Sequence, residues 1–426
     1  MIRSLICYLR STILDLKNIR KSAFVNRKSL LLTHDFPPVV GGIAVVFHHL
    51  WKYFPQDRML VLTPHSDGDR KFDRSSPVRP IRCYPSRKGT AGKIGAMIAM
   101  FFVTVFLVLF RQVREVHAGQ LLSCGPTGYF FQRVFGIPCF LWLYGGESRT
   151  NYSASPLKQR IAEFLIKRCR FLVTNSPTTT REFLDFGIPP ERIIEIVPAV
   201  DSGRFSPGPP SERYIRRYNL EGKKILVTVG RLVERKGHDL VLKAMSIMKD
   251  YPGLHYCIAG AGPYRGRLEE LAEELGVSDR VTFLGRVEEN DLPDCYRLGD
   301  IFVMPNRTIP GKPDSIEGFG MTFIEAGACG RPVIGGRSGG AIDAVEDGVS
   351  GYLIDPEKPS DLAEKIMYLL DNHDVCSEMG RRARERVLES FSWKQRAVQL
   401  AERLTVRPVT IRDVTEYPAE HLAFDR

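Results

Sequence analysis

Asp314-Ser315-Ile316-Glu317-Gly318-Phe319-Gly320-Met321-Thr322-Phe323-Ile324-Glu325-Ala326-Gly327-Ala328-Cys329-Gly330-Arg331-Pro332-Val333-Ile334-Gly335-Gly336-Arg337-Ser338-Gly339-Gly340 sets two carboxylates, Glu317 and Glu325, eight residues apart. Glu317 opens a glycine-bearing turn, and Met321 to Cys329 reads as a short helix closed by Gly330 and stopped by Pro332. The amides of Phe319, Gly320 and Met321 then lack partners inside the helix and suit an anionic or hydroxyl-rich ligand. Glu325 falls a turn into the helix, where it can accept from ligand hydroxyls, so the pair fits a sugar or a ribose. A capping Glu beside a surface Glu is the plainer alternative, and the pair alone leaves both open.

Working outward, strand and helix signals alternate on both sides of this stretch. Strands read at Ile225–Val229, His255–Ala259, Val281–Leu284, Ile301–Met304 and Pro332–Ile334, each followed by a helical pattern. The same rhythm precedes it, from a first strand at Ser29–Thr33 through Met59–Thr63, Ile81–Tyr84, Arg114–Ala118, Cys139–Tyr144 and Phe171–Thr174. Alternation of this kind predicts an α/β chain of two Rossmann-like doubly wound parallel-sheet domains facing a central cleft. The expected parts are an extension over residues 1–28, a first domain over 29–198, a Pro- and Gly-rich linker over 199–222, a second domain over 223–404 and a tail over 405–426.

Charge divides along the same line. Residues 1–210 carry 29 Lys+Arg against 14 Asp+Glu, and residues 211–426 carry 31 against 35, so a +15 half precedes a −4 half. A basic half faces something anionic. Zinc-finger, ribonucleoprotein and helix-turn-helix signatures are missing, which argues against nucleic acid. A membrane surface fits better: Met1 to Lys28 has seven cations, one acid and apolar residues at helical spacing, the pattern of an interfacial helix. Ile94–Phe110 adds seventeen residues without a charge, short of the about 20 that span a bilayer. Spanning would also part the halves of one sheet, so a very apolar crossover helix, buried or dipping into a leaflet, is expected there.

The nine cysteines are scattered without a Cys-x-x-Cys pair and read as small buried residues. Asp67-Gly68-Asp69 has the form of a metal-binding Asp-x-Asp but sits in a polar loop and reads as a turn; no metal and no cofactor is expected.

Four glycine-bearing loops follow strands: Gly41-Gly42, Gly230-Arg231, Gly260-Ala261-Gly262 and the Glu317 turn. All converge on the cleft if the two sheets are parallel. Arg231, just past a strand, and Lys236, at a helix start, are spaced to meet a diphosphate. Together with Phe36-Pro37-Pro38-x-x-Gly41-Gly42, Ala259-Gly260-x-Gly262-Pro263, Phe283-Leu284-Gly285-Arg286 and Glu317-x7-Glu325, these loops make the chain resemble the family 4 retaining glycosyltransferases of the GT-B fold over roughly residues 29–404. Met304-Pro305-Asn306-Arg307-Thr308 and Ser392-Trp393 look most like the GDP-mannose-dependent phosphatidylinositol mannoside mannosyltransferases.

The resemblance implies a hexosyltransferase, mannose favoured, working at the cytoplasmic membrane face on a lipid-linked or polysaccharide acceptor. Arg231 and Lys236 would stabilise the leaving diphosphate without metal, with Glu317 on the sugar hydroxyls and Glu325 on the donor ribose. Gly41, Gly42, Gly230, Gly262, Gly318, Phe319, Gly320 and Met321 would admit or contact the donor, and Arg286 with Val287 would border the base. One departure stands out: the family commonly has His-Gly-x-Glu where this chain has Tyr144-Gly145-Gly146-Glu147, leaving Tyr144 as a possible sugar contact. A UDP-glucose or UDP-N-acetylglucosamine donor, and a non-catalytic nucleotide-sugar-binding subunit, remain the alternatives.

Overall fold

A computed structural model describes residues 27–85, 90–147, 155–309, 311–312, 315–404 and 411. The expected interfacial helix within Met1–Lys28 and most of the 405–426 tail lie outside the described residues.

The first unit runs β1 (Lys28–Leu32), α1 (Gly42–Trp51), β2 (Met59–His65), α2 (Asp69–Ser75), β3 (Ile81–Pro85), α3 (Thr90–Phe110), β4 (Val113–Ala118), α4 (Gly125–Phe135), β5 (Cys139–Leu143), α5 (Pro156–Arg168), β6 (Phe171–Thr174), α6 (Pro177–Asp185) and β7 (Ile193–Glu195). Its seven strands are parallel, in the order β3-β2-β1-β4-β5-β6-β7. A sheet covered on both faces needs strands apolar on both sides. Period two then sorts neighbours: Leu30 and Leu32 join the core under α3 to α6, while Leu31 joins the core under α1.

The second unit runs α7 (Glu212–Tyr218), β8 (Lys224–Val229), α8 (His238–Ile247), β9 (Leu254–Ala259), α9 (Arg265–Glu274), β10 (Val281–Gly285), α10 (Leu292–Leu298), β11 (Ile301–Met304), α11 (Met321–Ala328), β12 (Val333–Gly336), α12 (Ala341–Ala344), β13 (Gly351–Ile354), α13 (Pro359–Asp371), α14 (His373–Ser390) and α15 (Trp393–Arg403). Its six parallel strands are ordered β10-β9-β8-β11-β12-β13.

The last helix, α15, crosses back to the first unit. Trp393 stacks on His49 with centroids 5.5 Å apart, and Gln399 donates to the Glu195 carbonyl at 2.9 Å. Beside it the outgoing linker is tied to the returning chain, Val200 N donating to Phe391 O at 3.1 Å.

Four elements differ from expectation, the first being α7, a helix inside the expected linker over 199–222. β7 and β13, of 3 and 4 residues, are too short to show a period. Asp67-Gly68-Asp69 is not a bare turn: Gly68, at φ 78°, precedes α2, and buried Asp69 lies 2.6 Å from His65 Nδ1 and 4.0 Å from Arg82 Nε. Asp69 thus holds local structure.

Candidate active site

The carboxyl ends of β8, β9 and β10 approach backbone to backbone. A Cβ on Gly260 would lie 1.8 Å from Gly230 O, and one on Gly262 would lie 2.2 Å from Leu232 O. Gly260 N donates to Gly285 O at 2.7 Å. Gly260 and Gly262 are therefore required by the packing of their own loops, whatever they do for a ligand, whereas a Cβ on Gly230 would meet only Lys236 Cε at 3.8 Å.

After that packed corner the chain turns once, through Glu234–Lys236, into α8. Gly237, at φ 75°, sits where a Cβ would be 2.1 Å from the Pro305 carbonyl, which fixes the turn beneath the end of β11. Lys236 is 7% exposed, and its Nζ lies 2.6 Å from Glu317 Oε2. The Arg235 guanidinium pairs with the same oxygen. Burial alone would push the Glu317 carboxyl upward, but the Lys236 and Arg235 charges overcome it and hold the group below the ordinary carboxylate range. Burial draws the Lys236 ammonium down, opposed by Glu317.

Arg231 stands apart. It is exposed and makes no ion pair among the described residues. The cations that meet on Glu317 are Arg235 and Lys236. Sequence reasoning passed over Arg235, whose partner lies 82 positions away.

The Glu317 turn reaches across to the first unit. A Cβ on Gly318 would lie 2.4 Å from Tyr144 O and 2.8 Å from Asn175 Nδ2. Phe319 is buried, Gly320 adopts φ 88°, and α11 starts at Met321 with no side-chain cap and no acid in its first turn. The N-terminus of α1 is equally bare, and a Cβ on Gly42 would lie 3.7 Å from Met321 Sδ; around Gly41 there is open space. Two uncapped helix N-termini and the Arg235–Lys236 pair thus border one cleft, a favourable setting for an anionic group.

Glu325, on α11, accepts from Tyr296 Oη at 2.5 Å. Burial raises it to about 7, against the Tyr296 hydrogen bond. The two carboxylates of the opening stretch are therefore unlike: one is held charged by two cations and the other is poised near neutrality. Arg286 is exposed beyond β10, and Val287 packs partly buried against the core.

Tyr144, at the end of β5, donates its hydroxyl to Gly119 O at 3.0 Å, while its amide donates to Glu147 Oε1 at 2.7 Å. Glu147 is pushed up to about 8 by burial. The hydroxyl proton expected to reach a sugar is thus spent on the protein's own backbone. Tyr144→Phe is expected to cost about 1 kcal/mol in urea unfolding and to leave transfer nearly unchanged; a loss of turnover far beyond that would return Tyr144 to sugar contact. Gln120 was also missed: it clamps the β1 loop to the β4 loop, donating to Asp35 Oδ2 at 3.1 Å and Thr33 Oγ1 at 2.9 Å while accepting from His34 N at 3.0 Å.

Comparison with known proteins agrees with this geometry. The sequence profile described as Glycosyltransferase Family 4 matches residues 40–204, and that described as Glycosyl transferases group 1 matches residues 211–386. A GDP-mannose-dependent alpha-(1-6)-phosphatidylinositol monomannoside mannosyltransferase of Mycolicibacterium smegmatis is 35% identical over 389 residues, covering 89% of this chain and 98% of its own. The protein of that name from Mycobacterium tuberculosis is 38% identical over 385 residues, 88% of this chain and 97% of its own. Among solved structures, Anabaena HepE in complex with UDP and glucose superposes with TM-score 0.75 at 20% identity, covering 89% of this chain and 99% of its own. Sucrose-phosphate synthase from Thermosynechococcus elongatus does so with TM-score 0.71 at 21% identity, covering 89% of this chain and 98% of its own. With two parallel sheets, a cleft at their carboxyl ends and these relatives, the chain belongs to the family 4 glycosyltransferases and has their GT-B fold.

Proposed function

We propose that the protein is a retaining mannosyltransferase that moves mannose from GDP-mannose to a phosphatidylinositol-type lipid acceptor at the cytoplasmic face of the membrane. The observation that carries the reading is the pairing of buried Lys236 with Glu317 at a cleft bordered by two uncapped helix N-termini. The names of the mycobacterial relatives supply the sugar, nucleotide and acceptor class.

In this reading the donor diphosphate takes Lys236, Arg235 and the exposed Arg231 as partners, together with the first amides of α11. Glu317, relieved of part of its ion pairing, accepts from sugar hydroxyls. The acceptor hydroxyl oxygen bonds to the anomeric carbon on the face that the diphosphate leaves. The anomeric C–O bond breaks with its electron pair on the phosphate, which takes the acceptor's proton. Retention of configuration follows. One preorganised charge of this kind is worth about 3 kcal/mol at the transition state.

The cations are the protein's own, so no metal is proposed. The test is GDP release from GDP-mannose, and UDP release from UDP-glucose, with phosphatidylinositol-containing vesicles and with EDTA. GDP release that needs lipid and survives EDTA is expected; preference for a UDP-sugar, or loss of activity restored by manganese, would overturn the donor or the metal-free reading respectively.

Glu325 gives the reading a pH signature. Its role is to accept from ribose hydroxyls as a carboxylate, and in the free protein it titrates at about 7. Nucleotide affinity is therefore expected to fall as pH drops from 8 to about 6, and Glu325→Gln to remove that slope. Stability has the opposite sign: a carboxyl raised from 4.5 to about 7 contributes fully below 4.5, and the contribution is lost as pH rises through 7. Calorimetric GDP titrations across this range, on both forms, read the slope directly.

A further inference from the structure

The outward face of α3 carries apolar side chains where a solvated helix carries polar ones. Ile98, Phe102, Phe106 and Phe110 recur every fourth residue, and the three phenylalanines are 65, 51 and 70% exposed. Phe106 and Phe110 lie 5.0 Å apart, centroid to centroid. The patch continues through Phe130 of α4, which meets Phe101 at 4.9 Å, to exposed Leu157 and Phe164 of α5. Scattered exposed apolar residues need no explanation, but a contiguous row over three neighbouring helices marks an interaction surface.

The opposite face of α3 is buried: Met100, Thr104, Leu107 and Val108 pack into the domain, and Thr104 donates to Met100 O at 2.7 Å. The helix is long and apolar enough to cross a bilayer, yet one side of it is already the cover of its own sheet. It cannot be surrounded by lipid.

Charge identifies what covers the patch. Lys93 and Arg111 bracket the uncharged run. Beside Phe110 opens a pocket of about 230 Å³ lined by Lys28, Arg58, Arg111, Gln112 and one acid, Asp57. The half of the chain that carries the patch has the +15 excess. Two copies of so basic a face repel each other, whereas an anionic surface is drawn to it.

We infer that the α3–α5 face lies flat on an anionic lipid leaflet, with the phenylalanine row among the acyl chains and the Lys28–Arg58–Arg111 pocket holding a lipid phosphate. This deepens, and rests on, the lipid-acceptor reading. The helix begins beyond the carboxyl end of β3, on the cleft side, and ends near the amino ends of β1 and β4. From Ile94 to Phe110 it covers about 24 Å. Lying in the plane of the leaflet, it holds the cleft mouth at the membrane, while the phosphate pocket at its far end is an anchor separate from the transfer site.

The experiment is sedimentation of the full chain with phosphatidylcholine vesicles, with and without phosphatidylglycerol, which offers the anionic phosphate without the inositol acceptor. Wild type pellets with the anionic vesicles. F102S/F106S/F110S and R58E/R111E are each expected to lower the partition coefficient at least tenfold, with GDP affinity and the melting profile unchanged. Equal pelleting of wild type and variants overturns the inference. So does a wild type that ignores vesicles but runs as a dimer which F102S/F106S/F110S converts to a monomer, since the face is then a self-contact. Loss of pelleting in the variants of a protein that binds no GDP would sink the transferase reading and leave the surface standing.

Discussion

Lys236→Met is expected to lower kcat/KM for sugar transfer by about 10²–10³-fold, the loss that follows removal of one preorganised charge from a developing anion. The melting temperature should move little, because Glu317 keeps Arg235 as a partner. That separation makes the result informative. If Lys236 were only a structural counter-ion, its loss would appear in stability rather than turnover. Arg235→Met should behave in the same way with a smaller effect. The double variant leaves buried Glu317 alone, and its stability should fall by about 3–5 kcal/mol, more than the two single changes combined. Turnover by Lys236→Met within a few-fold of wild type would remove the lysine from the reaction.

Gly318→Ala should cost turnover as heavily by a route that involves no charge. Gly318 does not have a positive φ, so alanine fits its backbone. Its methyl group would nevertheless meet Tyr144 O at 2.4 Å and Asn175 Nδ2 at 2.8 Å, both atoms of the first unit. A carbonyl anchored at the end of β5 cannot give way, so the two units must part. Misplacement of about 1 Å between reacting groups can cost 10²-fold, and kcat/KM should fall at least that far. Each unit's own unfolding should be unchanged, and small-angle scattering should show a larger radius of gyration. Wild-type activity in this variant would mean that transfer does not need the contact between Gly318 and Tyr144.

Much of this architecture was legible because parallel strands buried on both faces read as plain apolar runs, as Leu30–Leu32 and Phe140–Leu143 do. The loops at their carboxyl ends were legible through glycine, since backbone approaches such as Gly260 to Gly230 tolerate no other residue. What stayed hidden depends on partners far away in sequence. Nothing local in Arg235-Lys236 says that both cations share one oxygen of Glu317. Nothing near Tyr144 says that its hydroxyl reaches back to Gly119, or that Gln120 ties three strand-end groups together. The exposed row on α3 was half visible: seventeen uncharged residues announce an apolar helix but not which side of it the sheet takes.

The paired crossings between the units have a mechanical meaning. The outgoing segment at Val200 and the returning segment at Phe391 are bonded side by side, and Arg384 grips the outgoing one through the Ser202 and Phe205 carbonyls. A single tether would let the halves swivel in every direction; two adjacent pins leave chiefly one axis, like a door on its jamb. With α15 also seated on α1 through Trp393 and His49, the two units are held in register on the side away from any single tether, and the Gly318–Tyr144 approach is set by that pairing.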